Sequence, residues 1–443
     1  MPTSEYHKCM WQLERTNIEQ RKKILAQSRP EFARAQSEQV VSFVELIREK
    51  NRFFQDRLKG VAQVSNLEQF ADIPLLNKSD LVGEDGYAAN LTFDHEQYSR
   101  FHRTSGTTGR PMAVLDTKED WHWWMEAWQH VLDSANVTES DRVLMAFSFG
   151  PFVGFWSAFD AAVERGALVM PTGAMSTEAR LDLVLSSQAT VVFCTPSYAL
   201  HMAQVADQKS IDLTGGAVEK IIVAGEPGGS VAEIRSRIES KWNAAVVDHA
   251  GATEVGPWGF ADEAGTGLFV NESQFYPEFL DVDTNELLES DSAATEGKVC
   301  QLVLTTIGRL GCPVLRYLTG DLVRPTWKTD SAFVFLEGGV LGRSDDMMII
   351  RGVNVFPTAV EKILRGFDEV DEFQLIAWRD GQMDQLKVRV EDRLNDPERI
   401  ANEIQLRLGL RVDVEVVEAG SLPRFEMKGK RFLDSDEFVS DRA

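Results

Sequence analysis

The chain has 443 residues, which fits one large domain with a smaller one, or about three units of ordinary size. Hydrophobic residues make up 43% and charged residues 26%, enough to bury a sizeable core and unlike a disordered or fibrous chain. Asp and Glu number 69 against 46 Lys and Arg, a formal charge of −23, which argues against nucleic acid and anionic membranes as partners because phosphate backbones need a basic face.

No stretch reaches the ~18 apolar residues of a membrane span, and residues 1–30 carry scattered charges where a secretory signal needs an apolar run. Cys9, Cys194, Cys300 and Cys312 form no CxxC pair. Neither a zinc ribbon nor a disulfide framework is expected, and a reduced, cytoplasmic protein is. The cysteines read as small buried apolar residues.

Residues 1–100 read as mostly helical. In 38–50 (EQVVSFVELIREK), Val40, Val41, Phe43, Val44 and Ile47 lie near one helical face. A loop-rich stretch with the turn pair Asp85-Gly86 follows. In DWHWWMEAWQHV, Trp121, Trp124, Met125 and Trp128 recur at i, i+3, i+4 and i+7, the spacing of a helix laid on a core. From residue 143, short apolar runs alternate with helical patterns. Strands are predicted at 143–149, 167–170, 190–194, 220–224 and 245–248, and helices at 152–164, 177–187, Pro196–Gln208 and 231–242. Continuous apolar strands at this spacing indicate βαβ crossovers and a mostly parallel sheet covered by helices. Ligands of such sheets bind beyond the carboxyl ends of the strands.

Over 267–336 the pattern changes to short strands and turns: LFVN, FLDV, CQLVLTT and AFVFLE. Beyond 342 a helix at 357–366, strands at 373–378 and 385–390, a helix at Pro397–Leu408 and a strand at 412–417 make a compact α+β unit. The expected fold class is α/β. A large N-terminal domain covers 1–342, with its parallel-sheet core at about 100–256 and a β-rich subdomain at about 267–336, and a small α+β domain covers 343–443.

The strongest local signal is RTSGTTGRP at 103–111. Ser105, Thr107 and Thr108 supply hydroxyl donors, and Gly106 and Gly109 let the backbone turn its N–H groups toward an anion. Arg103 and Arg110 add positive charge. This suits a polyphosphate, although the GxxxxGK[ST] spacing of a Walker loop is absent. Four further motifs occur downstream, in order: HAGATEVG at 249–256, YLTGDLV at 317–323, LGRSDDMMIIRGVNVFPTAVE at 341–361 and LPRFEMKGKR at 422–431.

Together the five motifs resemble those of the adenylate-forming superfamily of acyl-CoA synthetases, luciferases and non-ribosomal adenylation domains, a resemblance that spans about 73–434. RGVNVFPTAVE and LPRFE are most similar to the phenylacetate–CoA ligase-like branch. The resemblance implies a carboxylate–CoA ligase using ATP, Mg²⁺ and CoA, with an acyl-adenylate intermediate and an aryl or arylacetic acid as substrate. An enzyme that loads a carrier-protein thiol or another nucleophile is the alternative. A catalytically inactive nucleotide-binding scaffold is a third reading, against which Glu254, Asp321 and Lys428 stand. Relatives also make homodimers an expectation.

Residue by residue, the resemblance implies that Ser105, Gly106, Thr107, Thr108 and Gly109 hold the β- and γ-phosphates. Thr253 would meet the α-phosphate, and Glu254 would bind Mg²⁺, which prefers a hard carboxylate oxygen. Asp248 and the Gly225-Glu226-Pro227 loop would border the adenine. Asp321 would accept both ribose hydroxyls, and Arg343 would reach ribose or phosphate. Asp345 corresponds to a hinge about which the small domain rotates between two half-reactions. Gly352 lies in the segment lining the thiol's path, and Lys428 is the candidate catalytic lysine, with Lys430 its rival. Two departures stand out. Ala250 occupies a position usually held by an aromatic that stacks on adenine, and Met112 comes after the loop's proline where many members carry lysine. Phe147, Phe149 and Phe152, with Phe155 and Trp156, crowd a Gly-Pro turn and read as an apolar acid pocket or as core.

Overall fold

The computed structural model describes residues 16–104, 111–147, 149–344, 348–350, 353–380, 383–424 and 431–434. Five strands, Leu168–Pro171, Arg142–Met145, Val191–Cys194, Lys220–Val223 and Ala245–Ala252, lie side by side in that order and run parallel. Their joining helices begin where local chemistry starts a helix. Thr195 caps Pro196–Gln208 by accepting from the Tyr198 N–H, with proline in the first turn where no amide partner is needed. Ser176 caps Thr177–Ser186 in the same way.

The predicted strand at 143–149 stops at Met145, where Thr172 Oγ1 donates to the Met145 carbonyl at 2.7 Å. Phe147 and Phe149 therefore lie beyond the strand's carboxyl end. The predicted strand at 245–248 instead runs on to Ala252. It pairs with Lys220–Val223 as far as Asp248, then turns its ladder to the antiparallel strand Gly256–Ala261 from His249 onward.

That change of partner extends the sheet. Gly267–Val270, Phe335–Glu337 and Pro325–Thr326 lie beyond Gly256–Ala261, giving nine strands. The strands of 267–336 are thus divided between two sheets. Phe275–Asp281, Cys300–Thr306 and Tyr317–Val323 join Leu287–Leu288 and Gly342–Arg343 in a separate antiparallel sheet of five.

The Lys118–Ser134 helix is central rather than one-faced. Asp120 to Leu132 are buried apart from His122, so Glu126, Gln129 and His130 are inside along with the tryptophans. In the Arg29–Lys50 helix, Val40, Phe43, Val44 and Ile47 are buried as expected, with Val41 half-buried. The strands Val370–Asp380, Met383–Asp392, Asp413–Val416 and Phe432–Asp434 form a further sheet. With the helices Pro357–Arg365 and Pro397–Leu408 they enclose their own apolar core, including Leu364, Phe373, Val388 and Ile404. Cys194, Cys300 and Cys312 are free and buried, and Cys9 lies outside the described residues. Among the described residues no helix is long and apolar enough to cross a membrane.

Candidate active site

The register of the parallel strands sets Met145 opposite Phe193, Cys194 opposite Val223 and Val223 opposite Asp248. Just past these positions the chain leaves the sheet along one edge, at Phe147, Thr195, the Gly225 loop and the tail of the Ala245–Ala252 strand. Beside this edge lies a two-stranded hairpin, Arg100–Arg103 with Ala113–Asp116, whose tip, 105–110, is outside the described residues. The neck of that tip is tied twice: the Thr104 amide donates to the Met112 carbonyl (2.9 Å), and the Met112 amide donates to Thr104 Oγ1 (3.0 Å). The Arg103 amide donates to the Pro151 carbonyl at 2.6 Å, which holds the neck against the aromatic turn. Ser105, Gly106, Thr107, Thr108 and Gly109, like Asp345, Gly352, Lys428 and Lys430, lie outside the described residues.

Thr253 is half-buried and Glu254 buried in the turn after the Ala245–Ala252 strand. The Glu254 Oε1 atom lies 2.6 Å from Lys78 Nζ, a lysine that no motif singled out. Tyr317 lies within electrostatic reach of the same carboxylate. Burial and then the Glu254 charge push that phenol far above its ordinary range, and Asp321 and Arg343 act on it as well. The charges of Glu254, Asp321 and Arg343 thus all act on Tyr317.

The Glu254 backbone is fixed from below. Arg309 Nη1 donates to the Glu254 carbonyl (2.8 Å), while its Nε and Nη2 reach Asp116 Oδ1 (2.8 and 2.7 Å). Burial, the largest single influence, would raise the Asp116 carboxyl; the charges and hydrogen bonds of Arg309 and His102 together outweigh it and hold the group below the usual range. This buried guanidinium ties the hairpin's second strand to the Thr253-Glu254 turn.

Asp321 and Arg343 face each other across two antiparallel strands, with Arg343 Nη1 donating to Asp321 Oδ1 (3.1 Å) and the Thr319 carbonyl (2.9 Å). Gly320 has φ +79°, and a Cβ there would come within 2.6 Å of Arg343 Nη2. Asp248 is buried, with its Oδ2 accepting from the Ser230 amide (3.0 Å) and hydroxyl (2.6 Å), and its Oδ1 accepting from the His249 amide (3.0 Å). Burial outweighs these bonds and raises its pKa to about 6. Gly225 takes φ +92° at the loop's start, and Pro227 is half-buried. Glu226 turns back toward the helix Pro196–Gln208, accepting from the Ser197 amide at 2.8 Å, and its other oxygen lies 3.8 Å from Arg431 Nη1.

Phe147 is buried and stacks on Phe155 with centroids 4.3 Å apart; Phe149 and Phe152 are half-buried, and Trp156 is exposed. The aromatic group is thus a mixture, with Phe147 in the core and the others toward the surface. Ala250 pairs with Gly259, where a Cβ would approach the Ala250 methyl to 3.0 Å. Met112 is fully buried. Among the described residues no three His, Cys, Asp or Glu side chains gather as a metal-holding group. Glu254 alone suits Mg²⁺ only as an ion shared with phosphate oxygens.

Lys78, Tyr317 and Arg309 were not assigned from the sequence. Tyr317 stands inside a motif, but Lys78 and Arg309 reach Glu254 only through pairings of segments far apart in the chain.

The sequence pattern of the AMP-binding enzyme family matches residues 19–278, and that of the AMP-binding enzyme C-terminal domain matches 352–436. The chain belongs to the AMP-binding enzyme family. Within it, the chain is 32% identical over 399 residues to a phenylacetate-coenzyme A ligase of Thermus thermophilus, covering 83% of this chain and 87% of that one. It is 30% identical over 384 residues to the ligase of the same name from Pseudomonas putida, covering 83% and 85%. Solved 2-hydroxyisobutyryl-CoA ligase shares the fold of this AMP-binding enzyme. In its postadenylation state the TM-score is 0.87 at 24% identity, covering 95% of this chain and 93% of that one. In its thioesterification state the TM-score is 0.70 at 24% identity, covering 96% and 95%.

Proposed function

We propose that this AMP-binding enzyme is an ATP-dependent carboxylate–CoA ligase acting on an aryl or arylacetic acid such as phenylacetate. In the first step a carboxylate oxygen bonds to the α-phosphorus of ATP, the bridge to the β-phosphate breaks and pyrophosphate leaves. In the second, the CoA sulfur bonds to the acyl carbon, the acyl C–O bond breaks and AMP leaves; the thiol proton passes to solvent. Adenylation is needed because AMP is a far better leaving group than carboxylate oxygen.

The observations that carry this reading are the Asp321–Arg343 pair and the Thr253-Glu254 turn, which Arg309 ties to the strand Ala113–Asp116 that follows the Ser/Thr/Gly loop in the chain. The loop of Ser105, Gly106, Thr107, Thr108 and Gly109 is assigned to phosphate, Thr253 to the α-phosphate and Asp321 to the ribose, with Arg343 beside it. Asp248 and the Gly225-Glu226-Pro227 loop are assigned to the adenine side, where Asp248 Oδ1 has lone pairs beyond the one used by His249. Glu254 is assigned to Mg²⁺, which when bound offsets phosphate charge. Lys428 is assigned to the charge that develops between the acid and the α-phosphate, Asp345 to the hinge and Gly352 to the thiol's path. Phe149 and Phe152, at the half-buried end of the aromatic group, favour an apolar acid, with Phe147 backing them. The naming of the curated relatives supports phenylacetate as the acid and CoA, rather than a carrier protein, as the thiol.

A panel of carboxylic acids scored for AMP release tests this. Phenylacetate or a close aryl analogue is expected to give AMP release that depends on CoA, and acid-dependent exchange of pyrophosphate into ATP without it. AMP release driven by a carrier-protein thiol and not by CoA would overturn the choice of acceptor. No exchange with any acid would overturn the enzymatic reading.

A further inference from the structure

Lys78 belongs to none of the motifs that point to nucleotide, yet its ammonium sits on the carboxylate assigned to Mg²⁺. Its position is built, not incidental. The Leu76 amide donates to the Arg316 carbonyl (2.9 Å) and the Leu318 amide to the Leu76 carbonyl (2.8 Å), so residue 76 runs as a short bridge beside Tyr317. Asn77 then turns the chain, its amide donating to Asp80 Oδ2 at 3.0 Å, and Lys78 opens the short helix Lys78–Leu81. The Lys78 ammonium is thereby held against Glu254 from a segment bridged to Tyr317.

The exposures of the two partners differ sharply. The Glu254 side chain is 6% exposed and the Lys78 side chain 39%, so the ammonium stands on the open side of a buried anion. A carboxylate cannot keep an ammonium at 2.6 Å and also give that oxygen to a divalent cation, because the two positive charges would repel at contact distance. A metal-bound polyphosphate would bring phosphate oxygens to that carboxylate, and with them an alternative anion for the displaced ammonium. The flexible four-carbon stem and three donors of lysine allow the change of partner without moving the backbone. Met112, after the loop's proline, is buried and uncharged, so the positive charge for the phosphates must come from elsewhere.

We propose that Lys78 is a phosphate-binding residue of the nucleotide site, held on Glu254 until ATP arrives and then transferred to the polyphosphate. The inference rests on the function proposed above. The opposing idea is that Lys78 only neutralises Glu254, and the two differ in sign. A phosphate ligand strengthens ATP binding; a mere counter-ion competes with the metal, and removing it would ease metal binding.

The test is calorimetric titration of the full-length protein with ATP at fixed Mg²⁺, repeated across Mg²⁺ concentrations, for the unmodified chain, Lys78→Ala and Lys78→Arg. Lys78→Ala is expected to weaken ATP binding about tenfold or more, the scale of one lost charge-assisted contact, with no fall in the Mg²⁺ needed. Lys78→Arg should keep affinity within about threefold, since the charge remains. ATP bound as tightly by Lys78→Ala, or bound at lower Mg²⁺, would overturn the role while leaving the proposed function intact. Failure of the unmodified chain to bind ATP would overturn both.

Discussion

Asp248 and His249 are sequence neighbours whose burial moves them in opposite directions. Burial raises Asp248 from 3.8 to about 6 and lowers His249 from 6.5 to about 4. For Asp248 the folded pKa is the higher one, so its contribution to stability is complete below 3.8 and is lost as pH rises through about 6. For His249 the folded pKa is the lower one. The ring has Nδ1 on the Gly259 carbonyl at 2.7 Å and lies against Trp128, so its contribution is complete above 6.5 and is lost as pH falls through about 4. Each amounts to something on the order of 3 kcal/mol, so across this window the two largely cancel in the natural chain. Single substitutions should uncouple them. Relative to the unmodified protein, Asp248→Asn should gain melting temperature at pH 7 and lose that gain toward pH 4. His249→Gln should show the reverse tilt. Melting curves across this range check it, and parallel profiles for the two variants would refute the assignment.

At the scale of elements, the ribose-side pair depends on a turn that only glycine makes comfortably. Gly320 combines φ +79° with a close approach to Arg343 Nη2, so an added methyl brings both backbone strain and displacement of the guanidinium. Gly320→Ala is expected to cost about 1–3 kcal/mol and to weaken nucleotide binding several-fold. Gly60 is the control: φ +86° with nothing within 4 Å, so Gly60→Ala shares the strain but should leave nucleotide affinity unchanged. Thermal melts and ATP titration of both variants separate the effects. Elements set by local chemistry were legible in the sequence: Pro196–Gln208 and Pro397–Leu408 have the expected limits because Thr195 and Asp396 cap them and proline opens them. The parallel strands were legible from their apolar runs. What local pattern could not carry was the choice of distant partners. LFVN and CQLVLTT look alike as strands, yet they enter different sheets. The tryptophan spacing marked one buried face, whereas the folded chain buries Asp120 to Leu132 on nearly every side, His122 excepted. Lys78 and Arg309 reach Glu254 only once the chain is folded, and the Glu226 carboxylate turns to a neighbouring helix that no loop motif specifies.

At the scale of the whole molecule, the C-terminal unit is held to the rest of the chain largely by polar contacts along the helix Ala232–Trp242. Arg237 donates to the carbonyls of Phe367 (3.5 Å), Asp368 (3.4 Å) and Val370 (3.0 Å), Lys362 lies 3.6 Å from Glu233, and Arg431 lies 3.8 Å from Glu226. The fold overlays on 2-hydroxyisobutyryl-CoA ligase with a TM-score of 0.87 in its postadenylation state and 0.70 in its thioesterification state, over nearly the whole chain in both. A two-step reaction in which the small unit moves between steps would make these contacts in one arrangement and break them in the other. The partly exposed Lys362–Glu233 pair on this seam suits such an exchange, because a pair of this kind contributes only about 0–1 kcal/mol and is easily released. Lys362→Glu places like charges 3.6 Å apart on this seam and touches none of the residues assigned to nucleotide, acid or thiol. It should slow acid-dependent pyrophosphate exchange about two- to fivefold while leaving thioester formation from supplied acyl-adenylate and CoA unchanged or faster. Adding Glu233→Lys should restore exchange, and raising the salt should shrink the difference as the charges are screened. Equal slowing of both half-reactions, or no recovery in the charge-swapped double variant, would mean that the seam does not bias the two arrangements.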